Sequence, residues 1–226
     1  MTDQQYYPTH YPSLGARHAD LIVHIVGLSL ALFGGGVALG LAVSHGLLGK
    51  VAAVSTYALG MIAMFSFSTA YNFAKPKWQP FLRRLDHAGI FLMIAASYTP
   101  FTTQALTGGW ALWMSVAVWT LAGCGIIAKL VLSPQFSHSG LGKVLWVGLY
   151  LILGWLVLVA IRPMIREVPM PAMILLGLGG VAYSVGTIFY AMKRLKFRRA
   201  IWHGHVLTGA SLHYVAVLVG VVLAVK

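Results

Sequence analysis

Seven runs of mostly apolar residues, at about 19–44, 51–74, 87–106, 109–132, 143–161, 170–192 and 202–224, constrain this chain more than any other feature. Each is close to the ~20 residues an α-helix needs to cross the hydrocarbon layer of a bilayer. Lipid offers no hydrogen bonds, so such a run satisfies its backbone as a helix or as a strand of a closed barrel, and this length selects the helix. Hydrophobic residues make up 59% of the chain and charged residues 9%, with a mean hydropathy of +0.81. A soluble domain carries roughly 25% charged residues, and a disordered chain needs low hydrophobicity with high charge. Both classes are excluded. The expected fold class is all-α, an integral membrane bundle of seven transmembrane helices over residues 19–226, preceded by a polar cytoplasmic tail at 1–18. The opening MTDQQYYPTHYPSLGA has neither a basic nor an apolar signal region, so the first run is expected to serve as an uncleaved insertion signal. Punctuation is expected at Gly46 and Gly49, Pro76 and Pro80, Ser133-Pro134, and Pro163 and Pro169. Gly36 and Gly40 form a small-residue step that predicts close helix packing. The single Cys124 lies inside an apolar run and has no partner for an intrachain disulfide.

The formal charge of +12 comes from 16 basic against 4 acidic side chains. Twelve of the bases fall in the amino tail and the second, fourth and sixth connections: Arg17; Lys75, Lys77, Arg83 and Arg84; Lys129 and Lys143; Lys193, Arg194, Lys196, Arg198 and Arg199. The remaining four are Lys50, Arg162, Arg166 and Lys226. This asymmetry predicts a cytoplasmic amino terminus and an external carboxyl terminus, an arrangement that requires an odd number of spans. No nucleic-acid module is recognisable, so the basic charge points to membrane lipids as partners rather than to nucleic acid. Trp78, Trp110, Trp146 and Trp202, near run ends, read as interfacial anchors.

With that topology the start of run 1, the end of run 2 and the starts of runs 3 and 7 share the cytoplasmic end. These four places hold Asp20 and His24, Ser68 and Asn72, Asp86 and His87, and His203 and His205. Asp20 with His24, and Ser68 with Asn72, are spaced i,i+4 and so share a helix face. Ionisable groups in membrane helices are costly and turn toward a bundle interior or a wet cavity. Their convergence predicts a cytoplasm-facing polar pocket. Any one of them alone also has a plain structural reading, since a run end can reach headgroup water and Asp86 follows Arg83 and Arg84 as a ready ion-pair partner. His213 lies ten residues beyond His203, about 15 Å deeper. It reads either as a functional group or as a hydrogen bond within the bundle. His205 points away from His203, while His10, His18, His45 and His138 read as tail or loop residues. Asp3 and Glu167 fall in a tail and a loop, with Glu167 expected on the opposite membrane face.

SFSTAYN (66–72), RRLDHAGIFLMIAASYTPF (83–101), GGVAYSVGTIFYAMKR (179–194) and AIWHGHVLTGASLHYVAVL (200–218) resemble the hemolysin III family, the bacterial branch of the progestin and adipoQ receptor superfamily. DLIVHIVG (20–27) resembles that family's first motif. The resemblance implies seven helices with a cytoplasmic amino terminus, in agreement with the charge count. It also implies a zinc ion near the cytoplasmic side, held by one histidine from the end of span 2 and two from an HxxxH at the start of span 7. Distant relatives include amide hydrolases acting on ceramide. Three protein ligands would leave a fourth position for water, lowering its pKa to about 7. In that scheme Asp86 orients the water or carries its proton, and Ser68 supports a developing oxyanion. This chain departs from the pattern at two of the three ligand positions. Asn72 stands where the first histidine belongs, and the HxxxH reads Arg199-Ala-Ile-Trp-His203. A neutral amide is a poor zinc ligand and a guanidinium is none.

The expected function is therefore a hemolysin III family protein of the bacterial inner (cell) membrane that senses or modifies a membrane lipid. Its pocket would be formed by Asp20, His24, Asn72, His87 and Arg199, with Asp86 and Ser68 as catalytic candidates and His203 as the remaining metal ligand. The alternatives are a metal-assisted lipid amide hydrolase with a non-standard zinc site and a pore-forming or lytic protein.

Overall fold

Once a run of apolar residues is helical, its fold is decided by which face of each rod turns inward. The computed structural model describes residues 11–44, 48–132 and 140–224, and every long regular element among them is helical. The helices are α1 (Leu14–Ser44), α2 (Leu48–Phe73), α3 (Gln79–Pro100), α4 (Gly108–Val131), α5 (Gly140–Gly154), α6 (Ile161–Glu167), α7 (Met170–Ala191) and α8 (Arg198–Val217). A 3₁₀ stretch, Trp155–Ala160, joins α5 to α6, while α3 and α8 each run on into a π turn, Phe101–Ala105 and Leu218–Val222. Among the described residues, six rods are long and apolar enough to cross a membrane: α1, α2, α4, the joined Leu141–Glu167, α7, and α8 with its extension. Helix α3 falls outside that set because its first half carries Arg83, Arg84 and Asp86, yet it packs between α2 and α4. Phe33, Trp113, Val131 and Leu48 are 70–86% exposed, so the outer surface is apolar as contact with lipid requires. The protein is a multi-pass membrane protein.

Helices α1 to α4 pack in sequence order, α7 packs on α8, α5 rests on both α3 and α4, and α8 closes the bundle by packing on α1. The inward face of α1 is a ladder of Gly27, Ala31, Gly35, Ala38 and Ala42. Gly36 and Gly40, expected to mark this contact, instead face outward, and a Cβ added at either would meet open space. The reason is angular: Gly36 is rotated about 100° from Gly35, enough to leave the interface. At Gly60 a Cβ would collide with the Ala96 methyl group, so the α2–α3 crossing depends on its absence. Gly108 opens α4 with φ +59°, a conformation that β-carbons disfavour.

The prolines behave in two ways. Pro80 lies in the first turn of α3 and Pro169 precedes α7, both at helix starts where a missing N–H costs little. Pro163, expected to end the fifth run, lies inside α6 instead. Its ring would clash with the carbonyl four residues back, and Val159 sits in the 3₁₀ stretch where the α-helical ladder is already broken. The Tyr98 hydroxyl maintains that break. Its one O–H is shared between the carbonyls of Gly154 (2.8 Å) and Leu153 (3.1 Å), and its oxygen accepts from the Val157 N–H at 2.8 Å. A side chain inserted into the i→i−4 ladder is a recognised cause of such interruptions. The sequence features at Asp3, His10, His45, Gly46, Ser133-Pro134, His138 and Lys226 lie outside the described residues.

Candidate functional site

Three one-turn pairs, each on an inward helix face, build the site. On α1, Asp20 and His24 are 0% and 2% exposed. His24 Nδ1 is 2.8 Å from the Asp20 backbone carbonyl. A carbonyl only accepts, so Nδ1 carries the proton and Nε2 turns a lone pair to the Ser68 hydroxyl, 3.2 Å away. On α2, Asn72 Nδ2 donates to the Ser68 carbonyl (2.9 Å) and reaches Ser68 Oγ at 3.4 Å. This use of the amide nitrogen orients Asn72 Oδ1 toward α8, where it accepts from Arg199 Nη1 at 2.8 Å. On α8, one turn on from Arg199, His203 Nδ1–H donates to Asp20 Oδ1 at 2.6 Å, and the Tyr11 hydroxyl donates to Asp20 Oδ2. The His24 and His203 rings meet edge to face, centroids 4.4 Å apart.

A buried carboxylate loses its hydration and is tolerable when hydrogen bonds and opposite charge replace it. Asp20 has both oxygens occupied. Tyr11, outside the membrane-spanning helices, has its phenol pushed up by burial and by the Asp20 carboxylate, so it remains a protonated donor. Asp86, on α3, approaches Ser68, His203, Arg199 and Arg83. It is half-buried, with its open side on a cavity rather than on the outer surface.

That cavity has a volume of about 650 Å³ and runs along α3 from Arg83 to Tyr98, a distance of about 22 Å at the helical rise. Its basic end is lined by Arg83, Lys129, Lys143, Arg198 and Arg199, with Asp86 among them. Met64, Phe65, Met93, Ile94, Leu151 and Val206 supply an apolar body. Tyr183, Ser184 and His213 lie on its wall toward the α7–α8 crossing.

Asp20, His24, Ser68, Asn72, Arg199 and His203 are therefore joined in one hydrogen-bonded chain, with Asp86 beside it. His87 lines the cavity but turns to Lys129, with Nδ1 3.4 Å from Nζ. His205 bonds the Ile201 carbonyl (2.8 Å) and packs on Phe189. His213 donates from Nε2 to the Leu176 carbonyl at 3.2 Å, a bundle hydrogen bond, and also lines the cavity. Glu167 ends α6, and the 22 residues of α7 separate it from the Arg199 end, about 33 Å along the axis.

Two residues of this region were not legible as such. Lys129, grouped with the connection bases, is buried within α4 at 4% exposure. Its ammonium sits 3.9 Å from the centroid of the Trp146 ring, and Trp146, expected to be an interfacial anchor, is itself in the core. The signal was present, since Lys129 falls inside an apolar run. Tyr11 carried none: a tyrosine nine residues before Asp20 in a polar segment has nothing to mark it.

Asp20, His24 and His203 offer three atoms within 4.8 Å of one another that could hold a metal ion. The zinc set implied by the sequence resemblance is a different one, and the residues here do not fit it. Two of its three positions are Asn72 and Arg199, bonded to each other.

A family profile described as Haemolysin-III related matches residues 18–214. Hemolysin-3 of Bacillus cereus is 36% identical over 203 residues, covering 88% of this chain and 89% of that protein. The Hemolysin-3 homolog of Bacillus subtilis (strain 168) is 32% identical over 201 residues, with 88% and 92% covered. Monocyte to macrophage differentiation factor of Homo sapiens is 28% identical over 169 residues, with 71% and 67% covered. With the profile spanning most of the chain and two bacterial relatives matched almost end to end, the chain belongs to the hemolysin III family, within the progestin and adipoQ receptor superfamily.

Proposed function

We propose that this protein binds a membrane lipid, or the single-chain product of one, with its anionic head at the basic end of the cavity and its chain along the apolar body. One observation carries this reading: a 650 Å³ space with five cations at one end and methionine, phenylalanine and aliphatic side chains beyond them. Pockets of about 300–1,000 Å³ bury ligands of this size, and guanidinium groups match carboxylate and phosphate oxygens bidentately. Arg199 supports it further, since its Nε is buried without a hydrogen-bond partner and so has a donor to give. On this reading all seven long rods cross the membrane. The amino terminus lies in the cytoplasm, and the protein resides in the bacterial inner membrane with its cavity open to the cytoplasmic leaflet. The charge asymmetry across connections supports that orientation. Native mass spectrometry of protein released from lipid nanodiscs tests the binding. Wild type is expected to retain an anionic lipid that Arg199→Glu and Lys143→Glu each lose, and equal retention by all three overturns it.

A second reading, metal-assisted hydrolysis of a lipid amide, draws on the Asp20, His24 and His203 cluster. In that case zinc would be held by His203 with Asp20 or His24, and Asp86 and Ser68 would serve the reacting group. The present hydrogen bonds weigh against it, because Asp20 Oδ1 and His203 Nδ1 are already committed to each other at 2.6 Å. Release of a fatty acid from a lipid amide, abolished by Asp86→Ala, would favour it.

A further inference from the structure

We infer that the Arg199 guanidinium is a built-in cation that stands in for a metal ion at the end of the bundle, and that the cavity works without zinc. The inference begins from Asn72 and Arg199, which occupy two positions where the sequence resemblance implies metal ligands. They lie 127 residues apart in sequence and meet at 2.8 Å. A guanidinium stays protonated in proteins, so it cannot ligate a metal and would repel one placed beside it. A histidine in place of Asn72 would offer a metal its imidazole nitrogen. The amide present offers a carbonyl oxygen, which accepts from a guanidinium N–H.

The surroundings are arranged for a resident positive charge. Asn72 spends both donors of its amide nitrogen on Ser68, which holds Oδ1 toward Nη1. The guanidinium lies 5.7 Å from the Tyr11 ring centroid, within cation–π range. Asp86 lies in its field. Asp86 is thereby left with a counter-charge supplied by the chain itself, on the side where a metal would otherwise provide one. The two departures from the family pattern are thus complementary halves of one contact, and the site needs no metal supply to be complete.

Metal content tests this directly. Tag-free protein in detergent is equilibrated with buffered Zn²⁺, desalted and assayed for zinc, and its melting temperature is compared with and without the ion. Wild type is expected to hold no more zinc than His203→Ala and to melt at the same temperature in either buffer. The double substitution Asn72→His with Arg199→His is expected to gain about one zinc per chain and to melt higher with zinc, and a third change, His203→Ala, should remove both effects. The inference is overturned if wild type carries about one zinc per chain that His203→Ala loses, or if a folded double variant takes up none. Should the double variant not fold, the wild-type measurement decides alone. None of these readouts depends on lipid binding, so the proposed function and this inference can fail separately.

Discussion

The two ends of the bundle are built on opposite principles. At one end Asp20, His24 and Asn72 are at most 2% exposed and are held by hydrogen bonds among three helices, α1, α2 and α8. At the other, Val217, Val222 and Ala172 are fully buried, Phe101, Ala105 and Val221 nearly so, and Gly220 brings α8 against α7 and the π turn after α3. Lys50 Nζ, 3.1 Å from the Ala224 carbonyl, closes a helix end that lacks its own donor. Close packing of small residues leaves no room and holds one arrangement. A polar chain with a cavity beside it is less dense and needs every partner in place, because each missing one exposes a buried group to lipid. The difference separates a scaffold from a site.

That contrast can be broken in four places. Asp20→Ala should have the largest effect, about 3–5 kcal/mol, because it leaves Tyr11 and His203 without their shared acceptor. Thermal and SDS unfolding in detergent would show it, and lipid retention should fall as well. Gly220→Leu should follow at about 2 kcal/mol, since its side chain would run into Ala172 and Phe101. Lipid retained per folded chain should stay unchanged in that variant; a loss would erase the distinction between the ends. Tyr11→Phe, removing one charge-assisted bond, should cost about 1.5 kcal/mol by the same unfolding assays and speed amide exchange in the first turns of α1. The smallest effect, about 1 kcal/mol, is expected for Tyr98→Phe, which frees the Val157 N–H. Faster hydrogen exchange confined to residues near 153–157 would confirm that the break between α5 and α6 is held from α3.

Much of the site was readable because it rests on helical periodicity. Asp20 with His24 and Ser68 with Asn72 share faces by spacing alone, and polar pairs in apolar rods turn inward because lipid penalises any other direction. Lys129 was misread because a base near the end of a run can either snorkel outward or turn in, and only the Trp146 ring and His87 decide between them. Gly36 and Gly40 were misread because the small-residue pattern holds on more than one face of α1, and the rotation of the rod selects among them.

The sequence by itself determined that this chain is a bundle of membrane helices, their order, and which rods carry the polar groups. Each of those properties is set locally, as lipid acts on one run of residues at a time. Tertiary structure decided the rest: which face of α1 meets α2, the recruitment of Tyr11 to Asp20, and the meeting of Asn72 with Arg199 across 127 residues. These depend on how far each rod is rotated against its neighbours, and rotation is settled by the fit of side chains that belong to different helices.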